Sequence, residues 1–195
     1  MESPRESPTS VRSGRPRDQQ VASRLRAAAR RLTLERGYAA VTIADIAAAA
    51  GSGRQAIYRR WPGKAELVLD AFTEHAVSEV DTADTRDLAQ FLIRTFRALA
   101  ATGPALRGLM AYAQDDPEFR IQLRDRFIAP RREALRSRLE SGPNPVTDPD
   151  VAIAAIYGAL WYRLLLDEPL DDEFAVRLSQ ALTGHSGLAR PPGAS

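Results

Sequence analysis

The chain has 195 residues, 44% of them hydrophobic, which is enough to bury one large or two small cores. It has no cysteine, which excludes disulfides, thiolate catalysis and cysteine-ligated metal sites, and its two histidines, His75 and His185, stand too far apart for a ligand-type spacing. The net charge of +2 hides a division: residues 1–64 carry 13 basic and five acidic side chains (net +8), residues 65–195 carry 14 and 20 (net −6), so a polyanion is expected to meet the first third.

Residues 1–17, rich in Ser, Pro, Arg and Gly, have little to bury and predict a disordered basic arm. Asp18 is a candidate cap for a first helix running to about Arg36, with Val21, Leu25, Ala28, Ala29 and Leu32 as its apolar stripe and Gly37 as its stop. Thr42, followed by Asp45 three residues later, starts a short helix Ile43–Ala50 that Gly51 ends. After Gly51-Ser52-Gly53 a third helix covers about Arg54–Trp61, until Pro62 stops it. Two short helices joined by a tight glycine turn, behind a longer one, predict a helix-turn-helix over residues 18–64. At about 100° per residue, burying Ile57 sends Gln55 and Arg59 most nearly away from the core, with Arg54 and Tyr58 on a flank. Such a face suits a major groove: Gln pairs with adenine, Arg with guanine, and a Tyr hydroxyl reaches a phosphate. The competing reading is an ordinary solvated face.

The stretch TIADIAAAAGSGRQAIYRRWPGKAELV resembles the DNA-binding signature of the TetR family of transcriptional regulators, in which Thr, an acidic residue, Ile-Ala, Ala-Gly and a Tyr-containing recognition helix precede Pro-x-Lys. The resemblance covers roughly residues 20–75. It implies that Arg54, Gln55 and Ala56 face bases, that Tyr58, Arg59 and Arg60 meet bases or phosphates, and that Thr42 and Lys64 meet phosphates. Three departures stand out. Ser52 replaces a usual buried Val and Gly53 a capping Ser, which predicts a looser turn; Ala44 occupies a place often held by a DNA-contacting Arg. The GRPR at Gly14–Arg17 resembles minor-groove arms, which makes Arg15 and Arg17 candidates, with a passive solvated tail as the alternative.

Residues 65–184 read as helical throughout and 185–195 as a flexible tail, so the fold class is all-α. The expected helices are Ala65–Ser78, Arg86–Ala101, Ala105–Gln114, Pro117–Glu140 with a kink or break at Pro130, Pro149–Leu166 and Asp172–Leu182; Asp116-Pro117 and Asp148-Pro149 each place a cap before an N1 proline. The apolar run Val151–Tyr162 is broken by Arg163 well short of a membrane span, and the N-terminus has no signal-like apolar stretch, so a cytoplasmic chain without membrane contact is expected. A helix apolar on nearly every side must be buried between its own domain and something else, and the family resemblance supplies a second copy, giving a homodimer. Phe91, Met110, Tyr112, Phe127, Tyr157 and Trp161 are candidates to line an effector pocket, although core packing explains each singly. Arg163 needs an acidic side chain or an anionic ligand as partner.

These readings converge on a regulator, expected to be a repressor, that binds palindromic operator DNA as a homodimer and releases it when an apolar or aromatic small molecule enters the second domain. No cofactor, metal or catalytic residue is expected. An effector-independent architectural DNA-binding protein is one alternative. A helical enzyme using Asp115 and Asp116 is another, but those residues are better explained as a loop and a cap.

Overall fold

The computed structural model describes residues 14–79, 87–142 and 146–184, the side chains of 14–16 and 75–79 excepted. The expected arm over 1–13, the Arg15 side chain, the imidazoles of His75 and His185 and the tail 185–195 lie outside the described residues. Among the described residues the fold is all-α, without a strand.

Helix α1 (Gly14–Arg36) carries the expected stripe, with Leu25, Ala28, Ala29 and Leu32 buried. It starts ahead of the expected cap: Gly14–Arg17 are helical instead of part of an arm, and Asp18 lies within the helix. Pro16 is tolerated there because a first-turn residue has no intrahelical acceptor for an N–H in any case. Gly37 ends α1 at φ +79°, its N–H donating to the Thr33 carbonyl at 2.9 Å. Helix α2 (Ile43–Ala49) opens on a full capping box and buries Ile46 and Ala47. Helix α3 (Arg54–Tyr58) is short, but the N–H groups of Arg59, Arg60 and Trp61 still donate to the carbonyls of Gln55 and Ile57, so the coil reaches Trp61 before Pro62 halts it. Helix α4 (Lys64–Glu79) then buries Ala65, Leu67, Val68, Leu69, Ala71 and Phe72, packing against α1.

Helix α4, expected to open a second domain over 65–184, packs mainly on α1; the second unit, from Leu88 onward, departs from expectation at its first helix. Instead of two helices separated near Gly103-Pro104, α5 (Leu88–Asp115) runs unbroken through Pro104. An interior proline costs about 3 kcal/mol. Against that, Phe91, Leu92 and Phe96 before it and Leu106 and Leu109 after it are buried on the inner side, each worth about 1.5–3 kcal/mol. The ring of Pro104 itself is exposed. Packing on both sides of the proline therefore outweighs its local cost.

Downstream, α6 (Pro117–Leu123) is capped by Asp116, whose Oδ1 accepts from Phe119 N at 2.9 Å. A single wide turn of π type over Arg124–Ile128 leads into α7 (Ala129–Ser141). The expected irregularity at Pro130 thus takes the form of a widened turn just upstream, where it accommodates the pyrrolidine ring against the preceding carbonyls. Helix α8 (Pro149–Leu165) starts at Asp148, which accepts from the N–H groups of Asp150 and Val151, and α9 (Asp172–Thr183) starts at Asp171, which accepts from Phe174 N. Helix α9 lies along α5, with the Phe96 and Phe174 rings stacked at 5.8 Å.

Candidate nucleic-acid interface

The turn between α2 and α3 is closed by two backbone bonds, Gly51 N–H to Ala48 O at 3.1 Å and Ser52 N–H to Ala47 O at 2.9 Å, with Gly51 at φ +59°. The hydrogen bonding of Ser52 and the half-burial of its side chain hold a turn for which a looser geometry was expected. Ala44 is exposed and offers no polar group.

On α3, Ile57 is fully buried and Trp61 nearly so, which orients the remaining side chains. Arg54, Gln55, Tyr58 and Arg59 are exposed together, as the helical arc requires, and Ala56 is half-buried against the core. Arg59 and Arg60, adjacent in sequence, have opposite settings. The Arg59 side chain is 64% exposed, its Nη2 resting 3.3 Å from the Asp18 carboxylate. That of Arg60 is 12% exposed, paired with the same carboxylate and donating to the Ala56 carbonyl at 2.5 Å. Arg60 is therefore a strut between α3 and α1 rather than a free contact. Arg17 is exposed on the first turns of α1.

Thr42 and Lys64, expected at phosphates, also have internal partners. The Thr42 hydroxyl donates to Asp45 Oδ2 at 2.6 Å and accepts from Asp45 N at 3.2 Å, while Thr42 N donates to the same carboxylate at 2.9 Å. The hydroxyl and backbone bonds from Thr42 hold the Asp45 carboxyl below the usual carboxylate range. Lys64 Nζ donates to the carbonyls of Tyr38 and Val41, both at 2.8 Å, and lies 4.1 Å from the centre of the Tyr38 ring. Burial, then the charges on the Tyr112 and Glu66 side, push the Tyr38 hydroxyl well above the ordinary tyrosine range, so the ring beneath the ammonium is a neutral phenol.

Sequence reading missed Asp70. Its Oδ2 accepts from the Trp61 indole Nε1 at 3.2 Å, with Arg26 Nη1 at 3.5 Å, and its Oδ1 accepts from Arg126 Nη2 at 2.5 Å. One carboxylate on α4 thus joins the end of the recognition helix, α1 and the wide turn of the second unit. The only hint in the sequence was that an acid interrupts the otherwise apolar inner positions of α4.

The seven expected effector contacts differ in setting. Phe91 and Phe127 are core residues covered by the guanidiniums of Arg138 and Arg131, at 5.6 and 3.5 Å from the ring centres. Tyr157 is half-buried, its hydroxyl pushed up to about 12 by burial, and Met110 and Trp161 are half-buried as well. Tyr112 sits at the junction of the two units, 6.3 Å from the Tyr38 ring, with its hydroxyl donating to Asp116 Oδ2 at 3.1 Å. Arg163 finds its partners within the chain: the Phe174 ring at 3.7 Å, Glu168 at 3.7 Å and the Pro169 carbonyl. That supplies the counter-charge for which an anionic ligand group was the alternative. A groove of about 580 Å³ lies elsewhere, between α1 and α4, and includes none of the seven.

An exposed Gln/Arg/Tyr row on a short helix after a tight glycine turn, carried by a separate helical unit, defines a helix-turn-helix DNA-binding regulator. The family model described as bacterial regulatory proteins, tetR family, matches residues 25–71, and the one described as tetracyclin repressor-like, C-terminal domain, matches residues 79–182. The chain belongs to the TetR family of transcriptional regulators. It is 32% identical over 163 residues to YdeS of Bacillus subtilis strain 168, described as an uncharacterized HTH-type transcriptional regulator, covering 78% of this chain and 82% of that one. Over 165 residues it is 32% identical to a DNA-binding transcriptional repressor TetR of Mycobacteroides abscessus, covering 79% and 87%. The crystal structure of the TetR family transcription regulator SCO0332 superposes with a TM-score of 0.68 at 28% identity, over 88% of this chain and 100% of that one. These relatives are regulators, not enzymes, and among the described residues no helix is long and apolar enough to cross a membrane.

Proposed function

We propose that this protein is a repressor that binds an inverted-repeat operator as a homodimer and is released by a small-molecule effector held in the second unit. The observation that carries the DNA-reading half is the exposed row Arg54, Gln55, Tyr58 and Arg59, fixed from beneath by Ile57 and Trp61. Arg54, Gln55 and Arg59 are the base-reading candidates and Tyr58 a phosphate or base contact. Arg15 and Arg17 remain candidates for a flanking groove.

Dimerisation is supported by the outer face of α8. Val151, Ala154, Ala155, Gly158, Tyr162 and Leu165 are exposed at helical spacing, and small residues at its middle allow a second helix to approach closely. Two copies related by a two-fold axis present two recognition helices to successive major grooves, about 34 Å apart. The effector is an apolar or aromatic molecule, consistent with a second unit whose interior is aliphatic and aromatic. Selection of bound duplexes from a random pool tests the reading: an inverted repeat protected by a dimer supports it, and binding without sequence preference returns the protein to an architectural role. Titration of a stabilising compound with and without operator tests induction, since linkage requires operator to weaken effector binding by the same factor as effector weakens operator binding.

A further inference from the structure

The loop between α1 and α2 is gripped from two sides. From the first unit, Lys64 at the start of α4 donates to the carbonyls of Tyr38 and Val41, each at 2.8 Å, and its ammonium lies 4.1 Å from the Tyr38 ring centre. From the second, Gly108 of α5 receives the same tyrosine at a distance no side chain permits: a Cβ at 108 would stand 2.3 Å from Tyr38 Cβ and 2.8 Å from Cγ. Beyond Gly108 the contact continues along α5 to Tyr112, which packs edge-on against Phe119 at 5.1 Å and donates to the α6 cap Asp116. Val41, at the far end of the loop, is buried, and the next residue is Thr42, the cap that starts α2.

We infer that Lys64 and Gly108 are positioning residues for DNA recognition, together seating the α1–α2 loop, and through it the start of α2, on the second unit. This rests on the DNA-binding reading above, but it departs from the phosphate contact expected of Lys64. The ammonium has three N–H groups; two are bonded to carbonyls and the group is covered on one side by an aromatic ring, which leaves it poorly placed to release counterions from DNA. Burial also lowers the Lys64 pKa, in keeping with a sheltered ammonium. The seat gives the second unit a route to the reading head through the α1–α2 loop, alongside the route through α4 itself.

Two variants in different units test the inference with the full chain and the duplex recovered by selection. Lys64→Met keeps the stem and removes the charge; Gly108→Ala, which would ordinarily favour a helix, adds only the excluded methyl. Each is expected to weaken operator binding by about tenfold or more, with the dependence of log affinity on log salt unchanged, and the double variant is expected to be no weaker than the poorer single one. A fall of about 0.9 in the Lys64→Met salt slope would reveal a lost phosphate contact and overturn the assignment. So would wild-type affinity in Gly108→Ala, or losses that simply add. Hydrogen exchange without DNA supplies a separate readout: amides 38–45 are expected to exchange faster in both variants while those of α8 do not change. Unchanged exchange at 38–45 defeats the inference even if the protein selects no DNA, an outcome that by itself would count against the DNA-binding reading instead.

Discussion

Neighbouring arginines of like charge have different work here, and exposure decides which. Replacing Arg59 by Ala is predicted to weaken operator binding by about 1–3 kcal/mol and to relax preference at one base pair. Arg60→Ala instead removes the strut to Asp18, so it should lower the thermal midpoint and weaken all sequences alike. Titration against a panel of single-base operator variants separates the two, and relaxation at the same base pair in both would refute the division. A second prediction concerns pH. The folded Asp45 pKa is depressed, so the stability its box contributes is present above the ordinary carboxylate value of about 3.9 and is lost as pH falls through the lower folded value. The gap in thermal midpoint between the native chain and Asp45→Asn should therefore be full at neutral pH and close in acid; a gap independent of pH would show that the carboxylate charge is immaterial. The box itself was legible in the sequence because its partners are three residues apart. Arg60 and Lys64 were not, since their partners, Asp18 and the Tyr38 and Val41 carbonyls, lie 23 to 42 positions away.

Among the helices, ends read well and interruptions did not. Asp116, Asp148 and the glycines at 37 and 51 act locally, and the structure uses each as expected. Pro104 was read as a break because its cost is local, whereas the burial that offsets it comes from partners along α8 and α9 that no window of α5 displays. Asp70 belongs to this scale, since it binds helices to one another. Trp61 and Arg126 come from different units, yet both donate to Asp70. Trp61→Phe and Arg126→Gln are therefore predicted to couple in a double-mutant cycle on urea stability by about 0.5–1.5 kcal/mol, and the coupling should vanish in an Asp70→Ala background. Strict additivity in the Asp70 chain would dismiss the shared acceptor.

At the scale of the whole molecule, the apolar run of α8 announced a helix buried on all sides, but the sequence did not divide its two faces. Leu160, in the middle of that run, is 2% exposed and packs inward, whereas Tyr162 is 61% exposed on the outer side. The division is set by where α5 and α7 lie against α8, which periodicity cannot supply for a helix with apolar residues all round. Tyr162→Glu is predicted to yield a folded monomer with weakened operator binding, and Leu160→Glu an unstable chain; sedimentation paired with circular dichroism distinguishes them. A Tyr162→Glu protein that still sediments as a dimer would move the interface elsewhere.

The unbroken course of α5 has a mechanical meaning. Twenty-eight residues of α-helix make a beam of roughly 42 Å, anchored near one end by Phe91 and Phe96 in the core of the second unit and bearing on Tyr38 towards the other. A beam carries a displacement only as well as its softest point allows. That point is Pro104, where the Ala100 carbonyl loses its helical donor, one turn before Gly108. Under the proposed induction, stiffness along this beam sets how much of a movement at Phe91 would reach the α1–α2 loop. Pro104→Ala should make the protein at once more stable and a more faithful transmitter.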